Sequence, residues 1–511
     1  MEANMMIEIG GSRLIVSDVV KVARYCEKVE LSPESIVKMQ KSREVVEQIL
    51  KEERAIYGVN TGFGAFANVK IPKDDLLQIQ KNILLSHACG VGEPLSEEIV
   101  RAMMLIRAHS LSLGFSGVRP VIVKKLCEFL NKGVTPYVPS KGSVGSSGDL
   151  APLAHIALPL IGEGYILKNG VKVPAKEVLL EKNIDPLILS EKEGLSLVNG
   201  TQAMAAILSI VVNDVANLIY LAVRVAALVA DVLMASPDAY EDIVWISRPH
   251  RGQKIVAKLM KELFEGSQIR ESHRNCSQVQ DAYSLRCIPQ VYGAVLDCLE
   301  YVKKIVEIEL NSATDNPLVF GEKILSQGNF HGEPLALSAD FLAISLSDFG
   351  NMVERQIDRM VNPKVNANLP PFLVIGDEGT NSGYMIWQYT AAALCNENKI
   401  LSHSASVDTI PTSGYQEDHV SMGMNACLKL MRIYENIISL VSIELMCATR
   451  ALQLRRPLKT SPKNEELFES TVPLIDKVSG DSFVQDQFER IRSFVLEKTR
   501  VVMNEWWRSY E

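Results

Sequence analysis

The stretch GSVGSSGDLAPLAH, from Gly142 to His155, places Ser143, Ser146 and Ser147 among three glycines just ahead of an apolar run. One plain account is a turn and a helix cap, with Asp149 as the capping residue. It leaves a serine followed at once by glycine, with only small neighbours, unexplained. Ser146-Ser147-Gly148 could react with itself. If a tight bend brings the Gly148 nitrogen onto the Ser146 carbonyl carbon, a five-membered ring closes. Loss of water from that adduct and from the Ser147 side chain then leaves an exocyclic methylidene. Glycine suits the attack because it has no Cβ to hinder it. The product is an electrophile, which no ordinary side chain supplies. The loop is not a phosphate-binding P-loop, since no GK[ST] follows the glycines. Nor does GSSGD have the GxSxG spacing of a nucleophile elbow.

A loop of this kind needs elements to hold it. The 511 residues are 47% hydrophobic and 22% charged, enough to bury a large core and too apolar for disorder. Net charge is −8, with no basic run interleaved with aromatics, so nucleic acid is not expected as a partner. IEIGGSRLIV (7–16) reads as a hairpin around Gly10-Gly11, and YILKNGVKV (165–173) as a second one turning at Asn169-Gly170. Ser32-Pro33 opens a helix running to about Glu53. After Asn199 the pattern changes: 201–236, 288–312, 336–362, 382–404 and 422–455 are long, apolar-periodic segments. The expectation is a mainly α protein, with a mixed α/β part over 1–200 that carries the reactive loop and a bundle of long helices over 201–511. Segment 203–236 is broken by Asp214, Arg224 and Asp231, so it reads as a helix buried in protein and not as a membrane span. The N-terminus lacks the pattern of a signal peptide. Nine scattered cysteines without a CxxC pair fit a reducing cytoplasm. The eight histidines are dispersed without HExxH or paired spacing, so no metal is expected.

Further stretches share one likeness. YGVNTGFG (57–64), SHACGVGEP (86–94), GFSGVRP (114–120), LVNGTQ (197–202), VQDAYSLRC (279–287), DNPLVF (315–320), GNFHGEP (328–334), LPPFL (369–373) and QEDHVSMG (416–423) occur in order along nearly the whole chain. Together with the loop they resemble the aromatic amino acid ammonia-lyases, which build 4-methylidene-imidazol-5-one (MIO) from their own chain. The resemblance implies a fumarase/aspartase-like helical architecture and a homotetramer with shared active sites. It implies MIO formed from Ser146, Ser147 and Gly148, with a Ser146–Gly148 cross-link and Ser147 dehydrated. The family's usual triad is Ala-Ser-Gly. Ser146 should therefore leave a hydroxymethyl on the ring, since only its backbone carbonyl takes part.

The same resemblance assigns roles to residues that look ordinary by themselves. Tyr57 would otherwise be a core aromatic; the likeness makes it the base that removes the β-proton, for which its pKa must fall from about 10. Tyr283 and Arg286, three apart, share a helix face; the likeness puts Arg286 on the substrate carboxylate and Tyr283 beside the prosthetic group. Asn199 and Gln280, readable as turn or cap residues, match positions that bond the ring or the substrate's α-groups, and Phe330 matches an active-site position. His87, with Gln416 and Glu417, resembles the histidine-specific members. An imidazole presents a donor and an acceptor and wants polar partners for both, whereas a phenyl ring would leave Glu417 buried and unpaired. Cys89 and Tyr415 are less typical and could touch the pocket lining. The activity implied is non-oxidative deamination of L-histidine to trans-urocanate and ammonia. Tyrosine or phenylalanine ammonia-lyase or aminomutase chemistry on the same scaffold remains an alternative, as does an inactive helical oligomer. The GSSxMPxKxN stretch of the fumarase-type lyases is absent.

Overall fold

The computed structural model describes residues 6–52, 56, 58–62, 64–66, 69–274, 279–476 and 480–510. The chain forms two compact units. The first comprises Met1–Ile210, Lys303–Asp340 and Ser404–Leu428; the second comprises Val211–Val302, Phe341–His403 and Lys429–Glu511. After residue 210 the chain thus returns twice to the unit that holds the serine-glycine loop.

In the first unit, helix Val16–Tyr25 buries Val16, Val19, Val20 and Ala23, the one-sided spacing of an amphipathic helix. It connects strands Ile7–Ile9 and Val29–Leu31, which pair in parallel. The expected hairpin over 7–16 is therefore absent. Gly10 turns the chain with φ +79°, but the following apolar residues run on into the helix, and the partner strand lies twenty residues further along. Ser32 caps helix Pro33–Lys51 by accepting from the Ser35 N–H at 3.0 Å. The hairpin at Asn169-Gly170 forms as read, Tyr165–Lys168 against Val171–Pro174. Both turn residues have positive φ, the geometry Asn-Gly favours. Helix Glu97–Ser112 is buried on almost every side. Its Arg101 and Arg107 survive burial because their guanidinium groups donate to backbone carbonyls, Arg101 to those of Val22, Ala23 and Leu130 and Arg107 to that of Ser196.

The long apolar segments are helices: Gln202–Val232, Ile288–Leu310, Glu333–Val361, Met385–Leu401 and Gly423–Arg455. Gln202–Val232 and Gly423–Arg455 have the length and hydropathy of membrane spans, but 94% and 83% of their apolar windows are buried within the protein. In the second unit, Trp506 Nε1 donates to the Ala216 carbonyl at 3.0 Å, and Asn217 Nδ2 to the Thr499 carbonyl at 2.9 Å. These bonds fasten the C-terminal segment to the helix.

Candidate active site

The described groups that hydrogen-bond to the loop all belong to the first unit. Strand Pro139–Lys141 leads into it and helix Leu150–Leu160 leads out. The loop is bolted from several sides. Met422 N–H donates to the Val144 carbonyl at 2.8 Å, and the Gly145 carbonyl accepts from Ser421 Oγ at 3.0 Å and Gly332 N–H at 3.1 Å. Ser147 is left-handed at φ +51°, and Gly148 follows at φ +72°. A non-glycine residue in that region costs free energy, so the surrounding bonds must hold the bend. Gly148 pairs with Gly200, and a Cβ at 148 would collide with the Gly200 backbone. Only glycine fits there.

Asp149 is not the cap of its own helix. Its carboxylate accepts from Ser143 Oγ at 2.8 Å and from the N–H groups of Ala203 and Met204 at 2.9 and 3.0 Å. It therefore caps helix Gln202–Val232 and ties that helix end to the loop. Burial without a counter-charge pushes its pKa up to about 6, against the three bonds that pull it down.

Two side chains grip Ser147. Asn199 Nδ2 donates to its carbonyl oxygen at 2.7 Å, while the buried Asn199 Oδ1 has no partner among the described residues. The Ser147 hydroxyl donates to Glu417 Oε1 at 2.8 Å. Thr412 Oγ1 holds the other carboxylate oxygen at 2.7 Å. Ser146 and Ser147 open onto a cavity of about 650 Å³ with Phe330, Gln416 and Glu417 in its wall. Thr61, Lys70, Asn316, Gln327, His331, Asp418 and His419 also line it. His87 ends helix Leu76–His87, with Ser86 Oγ 2.9 Å from its Nδ1. Burial lowers its pKa, and a backbone hydrogen bond at Ile83 and the charge of Glu417 oppose the fall. Neither Cys89 nor Tyr415 lines the cavity.

Tyr57 lies outside the described residues. Gln280, Tyr283 and Arg286 belong to the second unit, where Gln280 lines a separate cavity of about 300 Å³. The Arg286 guanidinium stands 4.7 Å from the Tyr283 ring centre, a cation–π distance, and its buried Nε has no partner among the described residues. The Tyr283 side chain is 70% exposed.

Sequence reasoning missed Thr412, which carries no local signal. It missed the buried Lys192–Asp315 pair at 2.7 Å, which flanks the helix ending at Asn199. It also treated the histidines as dispersed, yet His331 Nε2 and His419 Nδ1 stand 3.5 Å apart. Their presence in two of the matched stretches was the available hint. Among the described residues, no group of three or more His, Cys, Asp or Glu could hold a metal ion.

Residues 14–472 match the family model "Aromatic amino acid lyase". This chain belongs to the aromatic amino acid lyase family. Histidine ammonia-lyase of Caldanaerobacter subterraneus subsp. tengcongensis is 46% identical over 498 residues, which is 96% of this chain and 97% of the relative. Among solved members of the family, histidine ammonia-lyase from Trypanosoma cruzi superposes with a TM-score of 0.89 at 35% identity, covering 99% and 97% of the two chains. Tyrosine aminomutase from Streptomyces globisporus gives 0.91 at 36% identity, covering 97% and 98%. The mainly helical fold is thus common to lyases and aminomutases of this family, and the fold alone does not choose between their reactions.

Proposed function

We propose that this chain deaminates L-histidine without oxidation, releasing trans-urocanate and ammonia. The observation that carries the reading is the Glu417 carboxylate in the cavity wall, one hydrogen bond from Ser147. An acid in that place wastes binding energy against a phenyl ring and suits an imidazole N–H. The similarity to proteins named histidine ammonia-lyase points the same way.

The residues fit MIO: Gly148 has room for no Cβ, Ser147 is bent into the left-handed region, and the Ser147 carbonyl that would become the ring carbonyl already has its donor in Asn199. Once formed, the group supplies an electrophilic carbon that draws electrons from the substrate and loosens the C–N bond. The ring would carry the hydroxymethyl of Ser146. The chain's own residues do the rest. Tyr57 takes the β-proton. Arg286 grips the carboxylate with its planar fork, and Gln280 bonds the α-groups. His87, Gln416 and Glu417 hold the imidazole, and Phe330 packs the wall.

The protein works as a cytoplasmic homotetramer with active sites shared between subunits. Large apolar side chains left exposed support burial against a partner subunit, among them Val279 at 93% and Tyr283 at 70% in the segment that carries Gln280 and Arg286. A second copy covering that segment is the natural way to bury it.

The test is to incubate purified protein separately with L-histidine, L-tyrosine and L-phenylalanine and follow the conjugated acrylate product. Urocanate from histidine alone supports the proposal. A β-amino acid, or preference for another substrate, overturns it.

A further inference from the structure

Two side chains meet Ser147: Glu417 at its hydroxyl and Asn199 at its carbonyl oxygen. Two waters must be lost to make MIO, and they come from different places. The first comes from the Ser146 carbonyl when the Gly148 nitrogen closes the ring. The second comes from Ser147 alone, as its α-hydrogen and its hydroxyl. We infer that Glu417 is the general acid for this second dehydration, so that it serves the maturation of the chain itself. The inference rests on the MIO reading above and adds a step to it.

Three observations converge. Ser147 Oγ and Glu417 Oε1 are 2.8 Å apart, within proton-transfer range. Thr412 Oγ1, at 2.7 Å, holds the second carboxylate oxygen, and Thr412 and Glu417 also pair through their backbones at 2.9 Å. The carboxylate is thereby aimed at Ser147. Asn199 Nδ2, at 2.7 Å, covers the Ser147 carbonyl oxygen. After ring closure the Ser147 α-carbon lies between that carbonyl and a C=N bond, so charge left by the α-proton spreads to the oxygen Asn199 holds. Both ends of the elimination thus have a partner in place: a donor where negative charge collects and an acid where hydroxide would depart.

The step balances without any outside reagent. The Cα–H bond of Ser147 breaks, and its electron pair becomes the Cα=Cβ bond as the Cβ–Oγ bond breaks. Glu417 meets Ser147 as an acceptor, so its carboxylate first takes up the α-proton and then hands it to the departing oxygen, which keeps its own hydrogen and leaves as water. Hydroxide is a poor leaving group, and general acid assistance of this kind is worth roughly 10²–10⁴-fold.

The test is mass spectrometry of the peptide spanning 142–149, time-resolved after synthesis, in wild type and Glu417→Gln. Wild type should lose two waters. Glu417→Gln should close the ring but stall, accumulating the species short of one water, with the second loss slowed at least roughly 10²-fold. Thr412→Val leaves the carboxyl but frees one oxygen, and should show a slower second loss than wild type. It keeps the test decisive if Glu417→Gln does not fold. Complete loss of two waters from Glu417→Gln at the wild-type rate, or from Thr412→Val where that variant stands in, overturns the assignment. So does a Glu417→Gln peptide that loses none, because Glu417 would then act in ring closure. A wild-type peptide that never loses two waters overturns the MIO reading instead, which separates the two failures.

Discussion

Asn199 Nδ2 donates to the Ser147 carbonyl oxygen at 2.7 Å, and its own side-chain oxygen is buried without a partner among the described residues. A buried amide with one half unsatisfied costs free energy, so the arrangement favours the loop at the expense of the asparagine. On the reaction proposed above, charge would collect on the oxygen this donor holds. Asn199→Ala should lower kcat on histidine by about 10²–10³-fold, the usual loss for one preorganised donor to a developing oxyanion. KM should change much less. An unchanged kcat in fully dehydrated protein would show that the bond only shapes the loop.

Asp149 gives a pH prediction whose sign follows from its burial. Its carboxyl has a pKa of about 6 when folded, against 3.8 ordinarily. Between those values the folded chain holds the proton more tightly than the unfolded one, so stability falls as pH rises from about 4 to about 6 and is level above. The gap corresponds to ~3 kcal/mol. Asp149→Asn lacks this titration. Unfolding free energies of wild type and variant, measured side by side, should diverge by that order across the window, wild type losing the more. Parallel curves would mean that water reaches the carboxyl.

What was legible in the sequence was mostly local. Asn169-Gly170 dictates a hairpin within nine residues, and Ser32-Pro33 a helix start within four, because the physics of each turn is contained in the residues that make it. The long helices declared themselves by periodicity. Pairing of Ile7–Ile9 with Val29–Leu31 was not legible, since a whole helix separates them and nothing at Gly10-Gly11 forbids a hairpin. The candidate site divides the same way. Ser146, Ser147 and Gly148 stand out by composition, whereas Glu417 meets Ser147 across 270 residues, and only the family likeness connected them. Asp149 looked like the cap of the helix beside it and turned out to cap one fifty residues on. Thr412 has no local mark at all.

Lys192 and Asp315 form an ion pair at 2.7 Å with side chains 0% and 1% exposed, and Ser196 Oγ adds a bond to the same carboxylate at 2.7 Å. Burial lowers the lysine's pKa while Asp315 holds it up. Lys192→Met strands the aspartate and should destabilise the first unit by about 3–5 kcal/mol. The double replacement Lys192→Met/Asp315→Leu should recover only part of that, because it removes both charges of the pair but leaves the buried Arg107 without Asp315. Denaturant unfolding checks both. Equal losses in single and double variants would show that the pair contributes geometry which apolar packing cannot supply.

His87 gives a test of substrate binding that leaves the reactive loop untouched. Burial keeps its ring neutral near pH 7, which gives the ring one donor and one acceptor to offer an imidazole. Nδ1 is engaged by Ser86 Oγ at 2.9 Å, so Nε2 is the atom left for a ligand. His87→Leu keeps the volume and removes both polar atoms. One lost hydrogen bond, about 1–1.5 kcal/mol, should raise KM for histidine roughly tenfold. Loss of two waters from 146–148 should be unaffected, since the side chains bonded to Ser147 are those of Asn199 and Glu417. Activity on phenylalanine, if any, should stay level or rise. A KM that does not move would place the substrate ring away from helix Leu76–His87 and leave Glu417 with Gln416 as its holders. A failure to dehydrate would mean that His87 acts on the loop and not on the substrate ring alone.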